Sequence, residues 1–304
     1  MHERHTDGSV LRFGAVAVHL GEKSGKYPDG NQLLVQGGDL RVAFDTPLVA
    51  NRIGADFDEV DLVILGHVHE DHLCGLHRVP AVPVHVHPAD LAAARSWDGL
   101  ARHFGYRDEV MVGMRERIEA EFHYQPRPDA IAYPEGWQWD LGGGVTVHAE
   151  HLPGHTAGHC ALVVDSEGLA FIGDIDLSGF GPYYGDATSN LADFRRTLAA
   201  VARLDARIWV TSHHRGVITD RALFLDSLAA FAGKIDARRD RLLAYLADGP
   251  LALDALVRLR LIYPPEHDMP ALDCIERRSI TMHLDELIAD GGVRVLDDGR
   301  FLAL

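Results

Sequence analysis

The segment HVHEDH at residues 67–72 places four side chains of metal-ligand type in six positions, directly after the apolar run DLVILG. In an extended chain His67 and His69 project from one side, so both imidazoles can share one ion. Asp71 and His72 follow as the chain turns and can reach a second ion beside it. One such cluster cannot close two coordination spheres, and three later segments offer the missing donors: His155 in LPGHTAGH, Asp174 in LAFIGDID and His213 in WVTSHHRG. Asp174 and His213 each follow an apolar run, and ligands of open α/β sheets gather beyond the carboxyl ends of strands. Of the neighbours His213 and His214, the first sits on the strand end and is expected to ligate, with His214 lining the pocket. His and carboxylate donors suit two divalent metal ions, zinc (Zn2+) best, with iron (Fe) or manganese (Mn) as alternatives. Zinc lowers the pKa of a bound water from ~15.7 to about 7, which makes hydroxide available at neutral pH without a Ser or Cys nucleophile. The expected chemistry is attack of that hydroxide, shared between the ions, on a carbonyl carbon or on phosphorus.

These donors need elements to carry them. LLVQ, LRVAF and DLVILG between residues 31 and 65 have the length and the Val, Leu and Ile content of strands, and VPVHVHP reads as another. Pro88 suits the first position of a helix running through DLAAARSWDGLARHF, and residues 107–124 also read as helical. A second set of strands follows in GGVTVHAEHL, CALVVDS, LAFIGDI and ARIWVTSH, with the helix LADFRRTLAAVARL between the last two, preceded by the capping types Thr188, Ser189 and Asn190. Passing twice through strands and then helix favours a layered α/β domain. After about residue 219 the pattern becomes one long or two abutting helices, then LALDALVRL, then SITMHLDELIADGG with Ser279 as its cap, then VRVLDDGRFLAL with the turn signal Asp298-Gly299. The expected organisation is a catalytic domain over 1–218, a connecting helix over 219–247 and a winged-helix-like module over 248–304.

The order HxHxDH, then His, Asp and His resembles the metallo-β-lactamase superfamily over roughly residues 12–218. That resemblance implies a four-layer αβ/βα sandwich. It implies further that His67, His69 and His155 bind a first metal, that Asp71, His72 and His213 bind a second, and that Asp174 bridges them. Asp71, His72 and Asp174 are then the catalytic residues, with Asp71 orienting the hydroxide and passing a proton to the leaving group. Asp45 in VAFDTP resembles the acidic residue that supports such sites from behind, although the family's usual DTG is DTP here. His69 stands where flavodiiron electron-transfer relatives commonly carry Glu, which favours hydrolysis over redox chemistry. The superfamily's lactonases place a Tyr three residues after the bridging Asp, and this chain has Leu177 there. His159, His148 and His151 are expected to serve packing or support. Phe180, Tyr183 and Tyr184, on the Gly-rich loop after Asp174, are the candidate substrate contacts.

Composition narrows the substrate. The 304 residues carry 29 Lys and Arg against 45 Asp and Glu, a net charge of −16, which disfavours nucleic acid and anionic membranes as partners. Residues 248–304 hold six Arg and no Lys against eleven Asp or Glu, a net of −5, so packing or homodimerisation is the expected role of the C-terminal module. Arg238, Arg239 and Arg241 are expected on a solvated helix face. The scattered Cys74, Cys160 and Cys274 form no disulfide framework. With no signal-peptide pattern at the start and no membrane-length apolar run, a cytoplasmic protein is expected. The expected activity is hydrolysis of a small carboxyl-derived substrate such as a thioester, ester, lactone or amide. Two alternatives remain: an RNA phosphodiesterase using the same site, and a non-catalytic metal-binding regulatory protein.

Overall fold

The computed structural model describes residues 10–304. Its first sheet takes seven strands in chain order: β1 Val10–Phe13, β2 Val16–His19, β3 Gln32–Gln36, β4 Arg41–Phe44, β5 Leu62–Ile64, β6 Val84–Val86 and β7 Ile131–Ala132. β1 to β4 pair antiparallel, and β4 to β7 pair parallel. The second sheet runs β13-β12-β11-β10-β9-β8, built from β8 Gln138–Asp140, β9 Thr146–His151, β10 Cys160–Val164, β11 Leu169–Phe171, β12 Ile208–Val210 and β13 Val217–Ile218.

Side-chain alternation along these strands generates the layers. Leu33 and Val35 of β3 point to one side and meet Leu162, Val164 and Phe171 of the other sheet, with the Phe44 and Phe171 rings 6.3 Å apart. Leu34, Ala43, Val63 and Leu65 point the opposite way and are covered by the helical region 91–121 through Leu100, Phe104 and Ile118. On the far side of the second sheet, Ala161, Val163, Ala170 and Trp209 pack against Phe194 and Leu198 of the helix Leu191–Val201 and Phe224 and Phe231 of the helix Arg221–Tyr245. The result is an αβ/βα sandwich, the layered α/β form that the family resemblance implies.

Local signals account for most helix ends. Asn190 accepts from the Asp193 N–H and caps one helix, and Asp220 accepts from the Ala222 and Leu223 N–H groups and caps another. Two expectations need correction. The helix expected from Pro88 through residue 104 breaks at Ser96, whose backbone is extended and whose Oγ accepts from the Gly99 N–H to start a new helix, Trp97–Phe104. Ser279 does not cap a helix: it lies buried inside Leu272–Ala289, because Leu272 and Ile275 extend the apolar stripe on its N-terminal side.

Beyond the sandwich, the helices Leu253–Leu259 and Leu272–Ala289 and the hairpin β14 Val293–Val295 with β15 Phe301–Ala303 enclose a small core of their own, including Leu256, Leu261, Leu284, Leu287 and Val293. The Arg221–Tyr245 helix belongs to both regions: Phe224, Leu228, Phe231 and Ile235 pack on the second sheet, whereas Leu242 joins the C-terminal core. No described helix is long and apolar enough to cross a membrane.

Candidate metal centre

The seven donors named from sequence come together at one edge of the sandwich. His67 lies just past the end of β5, and His69 continues in extended backbone before the chain turns through a short 3-10 segment, Glu70–His72. Asp174 and His213 follow β11 and β12, two parallel neighbours, and His155 comes from the loop joining β9 to β10. The ring centroids of His67 lie 5.0 Å from His69, 4.0 Å from His72 and 4.8 Å from His155. Their donor atoms form a group of His67, His69, His155 and Asp174 beside a group of Asp71, His72 and His213.

Asp174 faces both groups. Its Oδ2 lies 3.3 Å from His155 Nε2 and 3.9 Å from His67 Nε2, while Oδ1 lies 3.1 Å from His72 Nε2 and 3.5 Å from His213 Nε2. Asp71 Oδ2 is 3.0 Å from His213 Nε2. A third possible donor group, Asp45 with His67 and His72, is better read as support, because Asp45 Oδ2 is bonded to His72 Nδ1 at 2.8 Å.

Most of the ring nitrogens turned away from this centre are held. His72 Nδ1 meets Asp45, whose other oxygen accepts from the Gly66 N–H at 2.7 Å. His213 Nδ1 donates to the Gly25 carbonyl at 2.8 Å, His155 Nδ1 to the Tyr183 carbonyl at 3.0 Å, and His69 Nε2 to Asp186 Oδ2 at 2.8 Å. The nitrogens left facing inward are therefore Nε2 of His72, His155 and His213 but Nδ1 of His69. Among the described residues, buried atoms without a hydrogen-bond partner include both ring nitrogens of His67, Nε2 of His72 and His213, and Oδ1 of Asp174. Buried polar atoms are almost always satisfied, so a convergent set of orphans fits a cation pair that would complete it.

Electrostatics point the same way. Burial alone would raise the Asp174 carboxyl, but the facing His213, His72 and His67 and a bond from His155 hold it well below the usual carboxylate range. Burial and the neighbouring His72 push His67 well below the ordinary histidine value, so its ring is neutral with a lone pair to offer. Burial opposes charge on His213, yet Asp174 and Asp71 raise it to about 9. In a metal-free centre, protons on such rings balance carboxylates that cations would otherwise neutralise.

Of the remaining candidates, His214 turns out of the cluster, with Nε2 3.5 Å from Asp176 and its side chain a third exposed. His159 donates its Nδ1 proton to the Leu152 carbonyl, and its Nε2 accepts from the Asp174 N–H at 3.3 Å; burial and then His155 lower its pKa to about 3. It supports Asp174 from behind. Phe180 is exposed beside Tyr263, with ring centroids 5.3 Å apart. Tyr183 is partly buried, with its hydroxyl 2.8 Å from that of Tyr106. Tyr184 is not available to a substrate: it is 1% exposed and donates to His283 Nε2 at 2.9 Å.

Four supporting residues escaped sequence reading. Asp186 holds His69. Asp90 accepts from the Val68 and Gly158 N–H groups and the Thr156 hydroxyl, pinning the HVHEDH turn to the His155 loop. Tyr27 donates to Glu70 at 3.1 Å, and its ring lies 6.4 Å from His213. Arg238, expected on a solvated face, is 4% exposed because its guanidinium finds the carbonyls of Phe180 and Pro182. A carboxylate in the loop after Asp174 was the one available signal for Asp186.

Comparison with known proteins agrees with this geometry. The model of the metallo-beta-lactamase superfamily matches residues 34–213, more than half of the chain and all seven donors. A metallo-beta-lactamase family protein from Thermus thermophilus is 23% identical with a TM-score of 0.69, over 95% of this chain and 99% of its own. A beta-lactamase domain protein from Burkholderia ambifaria is 18% identical with a TM-score of 0.67, over 99% and 96%. A metallo-beta-lactamase from Pontibacter korlensis is 18% identical with a TM-score of 0.51, over 72% of this chain and 98% of its own. No curated protein matches the chain. With its donors in the family's order at the edge of an αβ/βα sandwich, the chain belongs to the metallo-β-lactamase superfamily.

Proposed function

We propose that the protein is a dinuclear metal-dependent hydrolase acting on a small carboxyl-derived substrate, a thioester, ester, lactone or amide. The observation that carries this reading is Asp174, which turns one carboxylate oxygen toward His67 and His155 and the other toward His72 and His213. A side chain so divided, among buried nitrogens with no other partner, suits a bridge between two ions. His67, His69 and His155 would hold one, and Asp71, His72 and His213 the other. Zinc suits this donor set best. Such a pair, when bound, supplies Lewis acidity that makes hydroxide available at neutral pH and polarises the substrate carbonyl.

The chain's own residues do the rest. Asp71 faces the second group with its side chain nearly buried, and its carboxylate takes the proton of the attacking water and returns it to the leaving group. Asp45 keeps His72 oriented, and the Gly25 carbonyl does the same for His213. Tyr27 and Tyr183, with rings 6.4 Å from His213 and 5.8 Å from His155, supply aromatic surface beside the centre that favours a compact organic substrate. The net charge of −16 works against a polyanionic one.

Zinc-loaded protein assayed against thioesters, lactones, β-lactams and bis-phenyl phosphodiesters tests the reading. Turnover of a carboxyl-derived class is expected. Turnover of the phosphodiester alone would replace the substrate class, and two bound ions without turnover of any ester would point to a regulatory metal protein.

A further inference from the structure

The first group of donors is braced by a segment that the hydrolytic chemistry itself does not use. Asp186 is fully buried, and its carboxylate carries three donors: His69 on Oδ2 at 2.8 Å, and Tyr106 and Tyr183 on Oδ1, the latter at 3.1 Å. A buried carboxylate is costly unless its oxygens are occupied in this way. With both oxygens accepting, the His69 proton must lie on Nε2, and Nδ1 is the atom left for an ion. His69 Nδ1 is 3.1 Å from His155 Nε2, so both point at the same space.

The same segment also sets His155. The Tyr183 carbonyl accepts from His155 Nδ1, and Ser189 Oγ donates to the His155 carbonyl at 2.7 Å. From outside, the C-terminal helices grip the front of this segment. Arg238 donates to the carbonyls of Phe180, at 2.8 Å, and Pro182, and to the Tyr184 hydroxyl at 3.0 Å, while Tyr184 donates to His283 of the Leu272–Ala289 helix.

We propose that Asp186 is a positioning residue that commits His69 to binding the first ion through Nδ1, and that the C-terminal helices hold it in place through Arg238. This rests on the dinuclear reading above. It also gives the C-terminal region a role in the site: it stiffens one half of the metal centre.

Two measurements on zinc as the probe test it. In zinc-loaded protein, ring-nitrogen NMR should find His69 protonated at Nε2 with Nδ1 on the ion; Nε2 on the ion overturns the proposal without any variant. In zinc titration against a competing chelator, Asp186→Asn and Asp186→Ala should weaken one of two ions by about 10–100-fold and leave the other at the wild-type affinity. Asn keeps the shape but can accept on only one of its two terminal atoms, so either His69 or the tyrosine pair loses its partner. Two variants that hold both ions as wild type does would overturn the proposal. A wild-type protein that binds fewer than two zinc ions would instead break the dinuclear reading, and an NMR result of Nε2 in a two-zinc protein would break only the role of Asp186.

Discussion

The two halves of the metal centre are supported from different parts of the molecule. His72 and His213 are held by Asp45 at the end of β4 and by the Gly25 carbonyl, both within the sandwich. His69 and His155 are held by residues 183–189, a segment that the C-terminal helices grip through Arg238 and His283. One half-site is therefore a property of the sheet edge, and the other depends on packing contributed by distant sequence. Each group of donors can then be tuned separately, by changing residues outside it.

The sharpest way to break the comparison is to remove what both halves share. Asp174→Ala takes away the carboxylate facing both groups, and it should abolish nearly all turnover and uptake of the ion pair, a larger effect than the about 10–100-fold typical of a supporting residue. Because Asp174 lies among the polar donors of the centre rather than in a hydrophobic core, circular dichroism and the melting profile should remain those of a folded protein. An active variant with full metal content would remove the basis of the bridging role.

Next in size, Asp45→Asn should mirror the Asp186 variants on the opposite half. It removes a charged partner of His72 Nδ1, and about 10–100-fold weaker binding is expected for one ion only. Combined with Asp186→Asn, it should weaken both. If the single variants each weaken the same ion, the halves are not separately supported.

The difference between the halves also explains what was legible in the sequence. The clustered donors could be read because each has a strong residue type in a strong context: HVHEDH, Asp174 and His213 all follow apolar strands whose register is fixed by burial of alternate side chains. Both sheets and most helices were legible for the same reason, and Asp45 through its family resemblance. Asp186, Tyr106 and Arg238 were not, because a carboxylate in a Gly-rich loop, a tyrosine after a helix and an arginine among other arginines all have ordinary surface roles. Only the approach of residues 106, 186 and 69, far apart in sequence, gives them their function. Arg238 was misread outright, since its periodicity resembles a solvated face and its buried acceptors are carbonyls that carry no sequence signal. Ser279 failed for the opposite reason: its type suits a cap, but the apolar stripe around it extends the helix past it.

A smaller effect is expected from Arg238→Met, which keeps much of the apolar stem and removes the guanidinium. The Pro182 carbonyl is left buried without its donor and that of Phe180 partly so, and a loss of about 1–3 kcal/mol in stability is expected. Metal affinity at the His69 half should fall less than in Asp186→Asn, since Arg238 acts on the segment rather than on a ligand. Chemical denaturation alongside zinc titration checks both, and an effect on the His72 half instead would contradict the division.

Acid probes the same grip through a residue that touches no ligand. His283 is fully buried, and its Nε2 accepts from Tyr184, which itself accepts from Arg238. Burial, then Arg238 and Arg195, lower its pKa from 6.5 to about 3. A group whose protonated form is disfavoured in the folded state takes up its proton more readily when unfolded. Its contribution is therefore fully present above pH 6.5 and drains away as pH falls toward 3, at about 1 kcal/mol per pH unit for one proton. His283→Gln keeps an acceptor for Tyr184 but does not titrate, so its stability should fall less steeply than that of wild type between pH 6.5 and 3. The comparison belongs in zinc-free protein, where ligand protonation is common to both chains and cancels in the difference. Equal slopes for the two proteins would mean that the C-terminal grip on the loop survives a charged His283, and that the contact is looser than its geometry implies.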